Sequence, residues 1–252
     1  ANSIAIRLAR AFTKKDNIAV CGYHGWHDWY LSSNLSNKKS LETHLLPNLA
    51  IEGVPKKLKD TVYPFKYNDF GYLKKIIREK NIGVIKMEVV RNILPKNNFL
   101  KKVETLCKKN KALLIFDEIC TGFRVSMGGA QKIYNVNPDL TTLGKGIANG
   151  MPMSALVGKK RIMNNAKNIF FSGTFGGETL SLISCIETIK FMKRKKTINK
   201  IIRFGKKVKK ELNNYLKNIN LSNEIELSGH PAWLYLKIKN KKINSSNLIK
   251  SY

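Results

Sequence analysis

Hydrophobic and polar positions along this chain follow two rhythms. At the start, Ile4, Leu8 and Ala11, with Ala5 and Phe12, recur at helical spacing, so residues 1–12 predict an amphipathic helix. Residues 17–23 (NIAVCGY) then form a short, nearly unbroken apolar run that predicts a buried strand. It passes directly into HGWHDWY, a cluster of aromatics and histidines. Residues 31–61 are polar, rich in Asn, Ser and Lys, with little periodicity. That is long for a plain connection and predicts a functional loop or lid. A strand is predicted over 62–67, a short helix over 71–80, and a strand over 82–90 (IGVIKMEVV) that ends near Glu88. Phe99, Leu100, Val103, Leu106 and Cys107 give 99–110 helical spacing, and 113–116 is again strand-like.

Beyond this point the pattern shortens. Asn137-Pro138 breaks the next helix, and 140–143 is a strand leading into Gly144-Lys145-Gly146. A strand is expected over 153–157, a glycine-rich turn over 170–178 (FFSGTFGGE) and a helix over 179–192. A long basic helix over 198–216 and strands at 224–227 and 233–238 read as the start of another domain. Strands of near-continuous apolar character alternating with helices imply an α/β fold, a mostly parallel sheet covered by helices on both faces. The expected division is a large domain over 1–192 and a partial, smaller α+β domain over 193–252. The first residues and the last, SSNLIKSY, read as the cut ends of a longer protein.

Composition narrows the picture. The 252 residues carry a net charge of +29 and are 43% hydrophobic, enough apolar material for a sizeable core. The charge raises nucleic-acid binding as a reading from another class. The basic residues are spread along the chain, however, and no zinc-finger, RNP or helix-turn-helix signature accompanies them. The expectation is therefore no nucleic-acid partner. No apolar run is long enough for a bilayer, so no membrane partner is expected either. Cys21, Cys107, Cys120 and Cys185 are far apart without a CxxC, which suits reduced thiols in the cytoplasm. His24 and His27 lack the further ligands that a metal would need, so no metal site is expected.

The candidate chemistry centres on two residues. Asp117 and Glu118 end the buried run LLIF, and further along Lys145 stands between two glycines. A carboxylate at the end of a buried strand is costly unless paired. An amine flanked by small residues lets a bulky group approach the backbone. Together they suit pyridoxal phosphate, held by Lys145 as a Schiff base with Asp117 facing its ring nitrogen. Burial is expected to keep the Lys145 amine neutral. Tyr23 offers a face for stacking on a flat ring, and 172–177 (SGTFGG) offers hydroxyls and amides for a phosphate. Tyr23, His24, Glu88 and Asp117 all fall at the carboxyl ends of predicted strands, where such sheets bind ligands. Each has a plainer reading taken singly: a turn lysine, a core tyrosine, an ordinary glycine turn, or an aspartate that caps a helix or pairs with Arg124.

Taken together, ANSIAIRLARAFT, CGYHGWHDW, LLIFDEICTGFR, PDLTTLGKGIANGMPMSALVG and FSGTFGGETL resemble, in order, the class III aminotransferases. The likeness is nearest to the glutamate-1-semialdehyde 2,1-aminomutase branch. It implies a fold type I enzyme that moves an amino group with pyridoxal 5′-phosphate on a small amino or keto substrate. It also implies a homodimer with shared active sites. Under it Lys145 is the catalytic, cofactor-bonding lysine, Asp117 the partner of the pyridine nitrogen, and Tyr23 the stacking aromatic. Thr174 is the phosphate-binding threonine that the neighbouring subunit supplies, and His24 completes the aromatic motif. Glu88 stands where the family carries Glu-Pro, here Glu88-Val89, and is counted with the cofactor-binding residues. Glu178-Thr179-Leu180 replaces the family's commoner Asn-Pro-Leu, and the glycine-serine phosphate loop expected just before Ala1 is not in this sequence. A transaminase acting on another aldehyde or keto substrate stays open beside the mutase.

Overall fold

The apolar stripe at the start does form a helix. In the computed structural model, which describes residues 1–42, 49–90 and 93–239, α1 (Asn2–Thr13) buries Ala5, Ile6, Leu8 and Ala9. It stops where Lys14 turns left-handed and its N–H bonds back to the carbonyl of Arg10, one of the usual ways a helix end satisfies its last carbonyls. β1 (Ile18–Cys21) follows and is buried along its whole length.

After α2 (Asp28–Leu31) the predicted lid begins, and its described beginning is packed scaffold. Ser32, Ser33, Asn34 and Leu41 are buried. The Asn34 side chain accepts from Leu41 N–H at 3.1 Å and donates to the Leu49 carbonyl at 3.3 Å. The polar letters of this stretch therefore satisfy backbone groups inside the fold. Residues 43–48 of the expected lid lie outside the described residues.

The sheet is built from β1, β2 (Val62–Pro64), β3 (Val84–Glu88), β4 (Leu113–Asp117), β5 (Leu140–Leu143) and β6 (Ala155–Gly158). Their order is β2-β1-β3-β4-β5-β6, with all neighbours parallel except β5 and β6. The parallel strands are connected through helices, among them α3 (Phe70–Glu79) and α4 (Phe99–Lys109). Side chains alternate between faces along each strand. One set, with Ile18, Val20, Val84, Leu113, Ile115 and Leu140, forms a core with the buried face of α1. α3 and α4 turn their own buried residues inward, Leu73, Ile76 and Ile77 from one and Phe99, Leu100 and Val103 from the other. α5 (Gly129–Ile133) ends short of Asn137-Pro138. α6 (Lys160–Met163) follows the antiparallel strand β6, which begins slightly later than its apolar run suggests.

The chain divides into two compact units, Ala1–Ile189 and Lys190–Tyr252. The boundary falls within α7 (Thr179–Arg194). In the second unit α8 (Thr197–Asn218) packs on the antiparallel hairpin of β7 (Ile225–His230) and β8 (Trp233–Ile238). The contact depends on Gly205, where a Cβ would stand 1.8 Å from the Pro231 carbonyl oxygen.

Candidate active site

Four strands deliver the candidate residues to one edge of the sheet. Gly22, Tyr23 and His24 follow β1, Glu88 ends β3, Asp117 ends β4, and the turn carrying Lys145 follows β5. The register places Glu88 opposite Asp117 and Asp117 opposite Thr142. From β1 the chain moves outward to β2, then returns to the other side of β1 for β3. That reversal is the switch point at which open α/β sheets leave a crevice for a ligand.

Asp117 is 5% exposed and well supplied with donors. Its Oδ2 accepts from the Asn2 side-chain amide at 2.9 Å and lies 2.8 Å from His24 Nδ1. Oδ1 accepts the Ile119 N–H at 3.1 Å. The Lys86 ammonium is 3.7 Å from Oδ2. Burial alone pushes the Asp117 carboxyl up, but the Lys86 charge and the His24 hydrogen bond outweigh it and hold the group well below the usual carboxylate range. Burial pushes His24 down, against the pull of Asp117. His24 thus holds the carboxylate, with its own ring packed near Trp29 and Tyr30.

Tyr23 is half-buried. Its N–H donates to Glu88 Oε2 at 2.9 Å, and its ring meets Tyr30 edge-on at 6.1 Å. Glu88 therefore fastens the loop after β1 to β3. Gly22 makes this possible: its φ of +108° is in the region that favours glycine, and a Cβ there would lie 2.4 Å from the same Glu88 oxygen. Glu118 carries the helix-capping role considered for Asp117. Wholly buried, it accepts from Ala130 N–H at 2.9 Å, Gln131 N–H at 2.7 Å and the Thr121 hydroxyl, anchoring the start of α5.

Lys145 lies at the end of β5 in a short 3-10 turn, with φ of +49°. The burial expected for Lys145 is absent from the single chain: the residue is exposed, and its Nζ contacts Cys120 Sγ. Thr174 is also exposed, in the turn before α7, beside a cavity of about 870 Å³ lined by Ile4, Leu8, Met153, Ser154 and Phe175 among others. Glu178, which departs from the family pattern, caps α7 by accepting from Leu180 and Ser181 N–H at 2.7 Å each. The structure thus gathers Tyr23, His24, Glu88 and Asp117 into one bonded cluster and sets Lys145 on the adjoining strand end. Asn2 and Lys86 belong to that cluster too. The sequence reading passes over both: Asn2 carries no sequence signal, and the signal for Lys86 is that it is the one charge inside the apolar run before Glu88.

Residues 1–230 match the family Aminotransferase class-III. This chain belongs to that family. As a class-III aminotransferase it is 35% identical over 248 residues to 3-aminobutyryl-CoA aminotransferase of Cloacimonas acidaminovorans, covering 95% of the chain and 55% of that relative. It is 41% identical over 209 residues to glutamate-1-semialdehyde 2,1-aminomutase of Wigglesworthia glossinidia brevipalpis, covering 78% of the chain and 47% of the relative. The chain spans about half the length of the curated relatives it matches. Among solved structures, the FumI protein of Sphingopyxis sp. MTA144, in its PLP internal aldimine form, superposes with a TM-score of 0.81 at 24% identity. That likeness covers 94% of this chain and 55% of that one, and it bears on the fold.

The cofactor of class-III aminotransferases is pyridoxal 5′-phosphate, and the residues present suit it. A pyridinium needs an ionised carboxylate, and Asp117 is one. Among the described residues, Oδ1 takes a hydrogen bond only from Ile119, while a carboxylate oxygen has room for two. The amine is on the neighbouring strand, and a Cβ on Gly146 beside it would meet nothing within 4 Å. No group of three His, Cys, Asp or Glu side chains among the described residues is arranged to hold a metal. No helix among them is long and apolar enough to cross a membrane.

Proposed function

We propose that this chain carries the cofactor centre of a pyridoxal-phosphate enzyme that moves an amino group, of the glutamate-1-semialdehyde 2,1-aminomutase kind. The observation that carries the reading is Asp117, a buried carboxylate kept ionised at the end of β4 and in register with the strand that leads to Lys145. Bound there, pyridoxal phosphate supplies an electron sink for charge developing on the carbon that bears the amino group. Asp117 holds a proton at the ring nitrogen. His24 and Asn2 hold Asp117 in place. Tyr23 presents its ring to the cofactor's face, and Glu88 fixes the Tyr23 backbone. Lys145 would hold the cofactor through its amine and would be the group placed to take and return the substrate proton as general base.

Thr174 grips the phosphate of a second copy in a homodimer with shared sites. Two exposures support this: Lys145 is open in the single chain, and so are Phe170, Phe171 and Phe175 around Thr174. Apposed copies would cover both, and covering Lys145 would supply the desolvation that frees its lone pair. The alternative is a transaminase on another keto or aldehyde substrate, favoured by the 35% likeness to a CoA-linked aminotransferase. Turnover of glutamate-1-semialdehyde with no added amino donor separates the two, because a mutase needs none. The site is tested by reducing the full-length protein with borohydride in the presence of pyridoxal phosphate and mapping the labelled peptide. The expected label is on Lys145. Label on another lysine, or none, removes the assignment.

A further inference from the structure

Lys86 has no part in the reading above, yet it is the most unusual residue near the site. Its side chain is fully buried. Val20, Lys86, Ile115 and Leu140 form one register row across β1, β3, β4 and β5, and the next row holds Glu88, Asp117 and Thr142. By strand alternation Lys86 points to the same face as Asp117, toward the core formed with α1. Its Nζ is 3.7 Å from Asp117 Oδ2 and 3.5 Å from the Thr142 hydroxyl. The other charged or titratable groups that act on it are Glu88 on its own strand, His24 after β1 and the amino group of Ala1 before α1. Asp117 is thus the nearest counter-charge to a lysine in the sheet.

Asp117 carries one negative charge. A ring nitrogen holding a proton beside it brings one positive charge, and so does the Lys86 ammonium. Glu88 acts on Lys86 as well, but its Oε2 is held by the Tyr23 N–H, and Asp117 is the carboxylate at ion-pair distance that the two cations would share. Crowding two cations on that one group is relieved by losing a proton. Of the two, the ring proton gains the direct contact. The lysine already has its ammonium disfavoured, because burial pulls it down more than Asp117 and Glu88 hold it up.

We propose that Lys86 is the resident counter-ion of Asp117, exchanged for the cofactor's ring nitrogen, so that ring binding takes one proton from Lys86. The proton balance is simple. A ring that arrives protonated sends the Lys86 proton to solvent. A ring that arrives unprotonated receives a proton while Lys86 gives one up. Lys86 ends as a neutral amine hydrogen-bonded to Thr142 in both cases. It is a positioning residue: it keeps Asp117 ionised and in place until the ring arrives. This inference rests on the pyridoxal-phosphate reading of the site.

The test uses the full-length protein and 4′-deoxypyridoxine 5′-phosphate, a probe with no aldehyde and hence no bond to Lys145. Titration calorimetry in buffers of different ionisation enthalpy counts the protons released on binding. The wild type is expected to release about one proton more than Lys86→Met, which keeps the volume and removes the charge. Equivalently, its affinity should rise about tenfold more per pH unit than the variant's near neutral pH. Equal proton counts overturn the proposal while leaving the cofactor site intact. Absence of any binding by the wild type overturns the cofactor reading, and the proposal with it. If Lys86→Met does not fold, the wild type alone decides through the ¹⁵N shift of a labelled ring. A protonated ring nitrogen is required, and an unprotonated one sinks the exchange.

Discussion

Asp117 and Glu118 are adjacent acids with opposite fates. Asp117 faces cations and donors and is driven to the ionised form. Burial pushes Glu118 up, only partly offset by the Thr121 hydroxyl and the N–H groups of Gln131 and Ala130. Removing either leaves a different deficit. Asp117→Ala removes the partner of the ring nitrogen and is expected to retain cofactor while lowering turnover at least about a hundredfold, measured as kcat. Asp117 also links stability to pH. Its folded value lies below the unfolded one, so its contribution is full above about pH 4 and is lost as pH falls toward the folded value, a change of about 2 kcal/mol. Urea unfolding from pH 5 down to pH 3 should show about half of that loss, roughly 1 kcal/mol, in the wild type and a flatter profile in Asp117→Asn. Glu118→Ala strands the Thr121 hydroxyl, the buried Ala130 N–H and the partly buried Gln131 N–H. The expected cost is about 3 kcal/mol by urea unfolding at neutral pH, with the cofactor site otherwise intact.

At the scale of elements, periodicity told most where the environment is simple. Strands buried on both faces read as unbroken apolar runs, and β1, β3, β4 and β5 fall where those runs are. The helices α1, α4 and α8 follow their apolar stripes. The reading failed where polar residues bond inward. Ser32, Ser33 and Asn34 look like loop letters, but the two serines bond back to the carbonyls of Trp29 and Tyr30 one turn earlier, and Asn34 reaches the Leu49 carbonyl that only the fold brings close. Of the proposed site, Asp117 and Lys145 stand out in the sequence because each contrasts with its neighbours. The roles of His24 and Asn2 were not, since both depend on a contact across the sheet end that no local spacing encodes. Tertiary proximity also decides the second unit. Gly205 looks like a weak point in α8, since glycine lowers helix stability by roughly 1 kcal/mol relative to alanine. Gly205→Ala would on that ground stabilise the helix. The Pro231 carbonyl in its path reverses the sign. The variant is expected to lose about 2–3 kcal/mol, seen as a lower urea midpoint for the second unit while the first is unchanged.

The whole molecule carries 46 Lys and Arg against 17 Asp and Glu, so most of its cations have no acid to meet. Lys207 with Glu211 pairs two exposed side chains and contributes little, while Lys101 and Lys108 reach from solvent to the buried Glu104. The surface therefore repels itself, and repulsion of this kind opposes the compact state. Salt acts unequally on the two populations. Exposed charges are screened beyond about 10 Å at 0.1 M ionic strength, whereas the buried Lys86–Asp117 pair is shielded from counter-ions. Raising NaCl from low concentration to about half molar should thus stabilise this chain, by on the order of 1 kcal/mol in urea unfolding at neutral pH. The difference between wild type and Asp117→Asn should stay constant across that range. A gap that closes with salt would mean that solvent ions reach the pair, and that the buried charge cluster at the end of β4 is open to water.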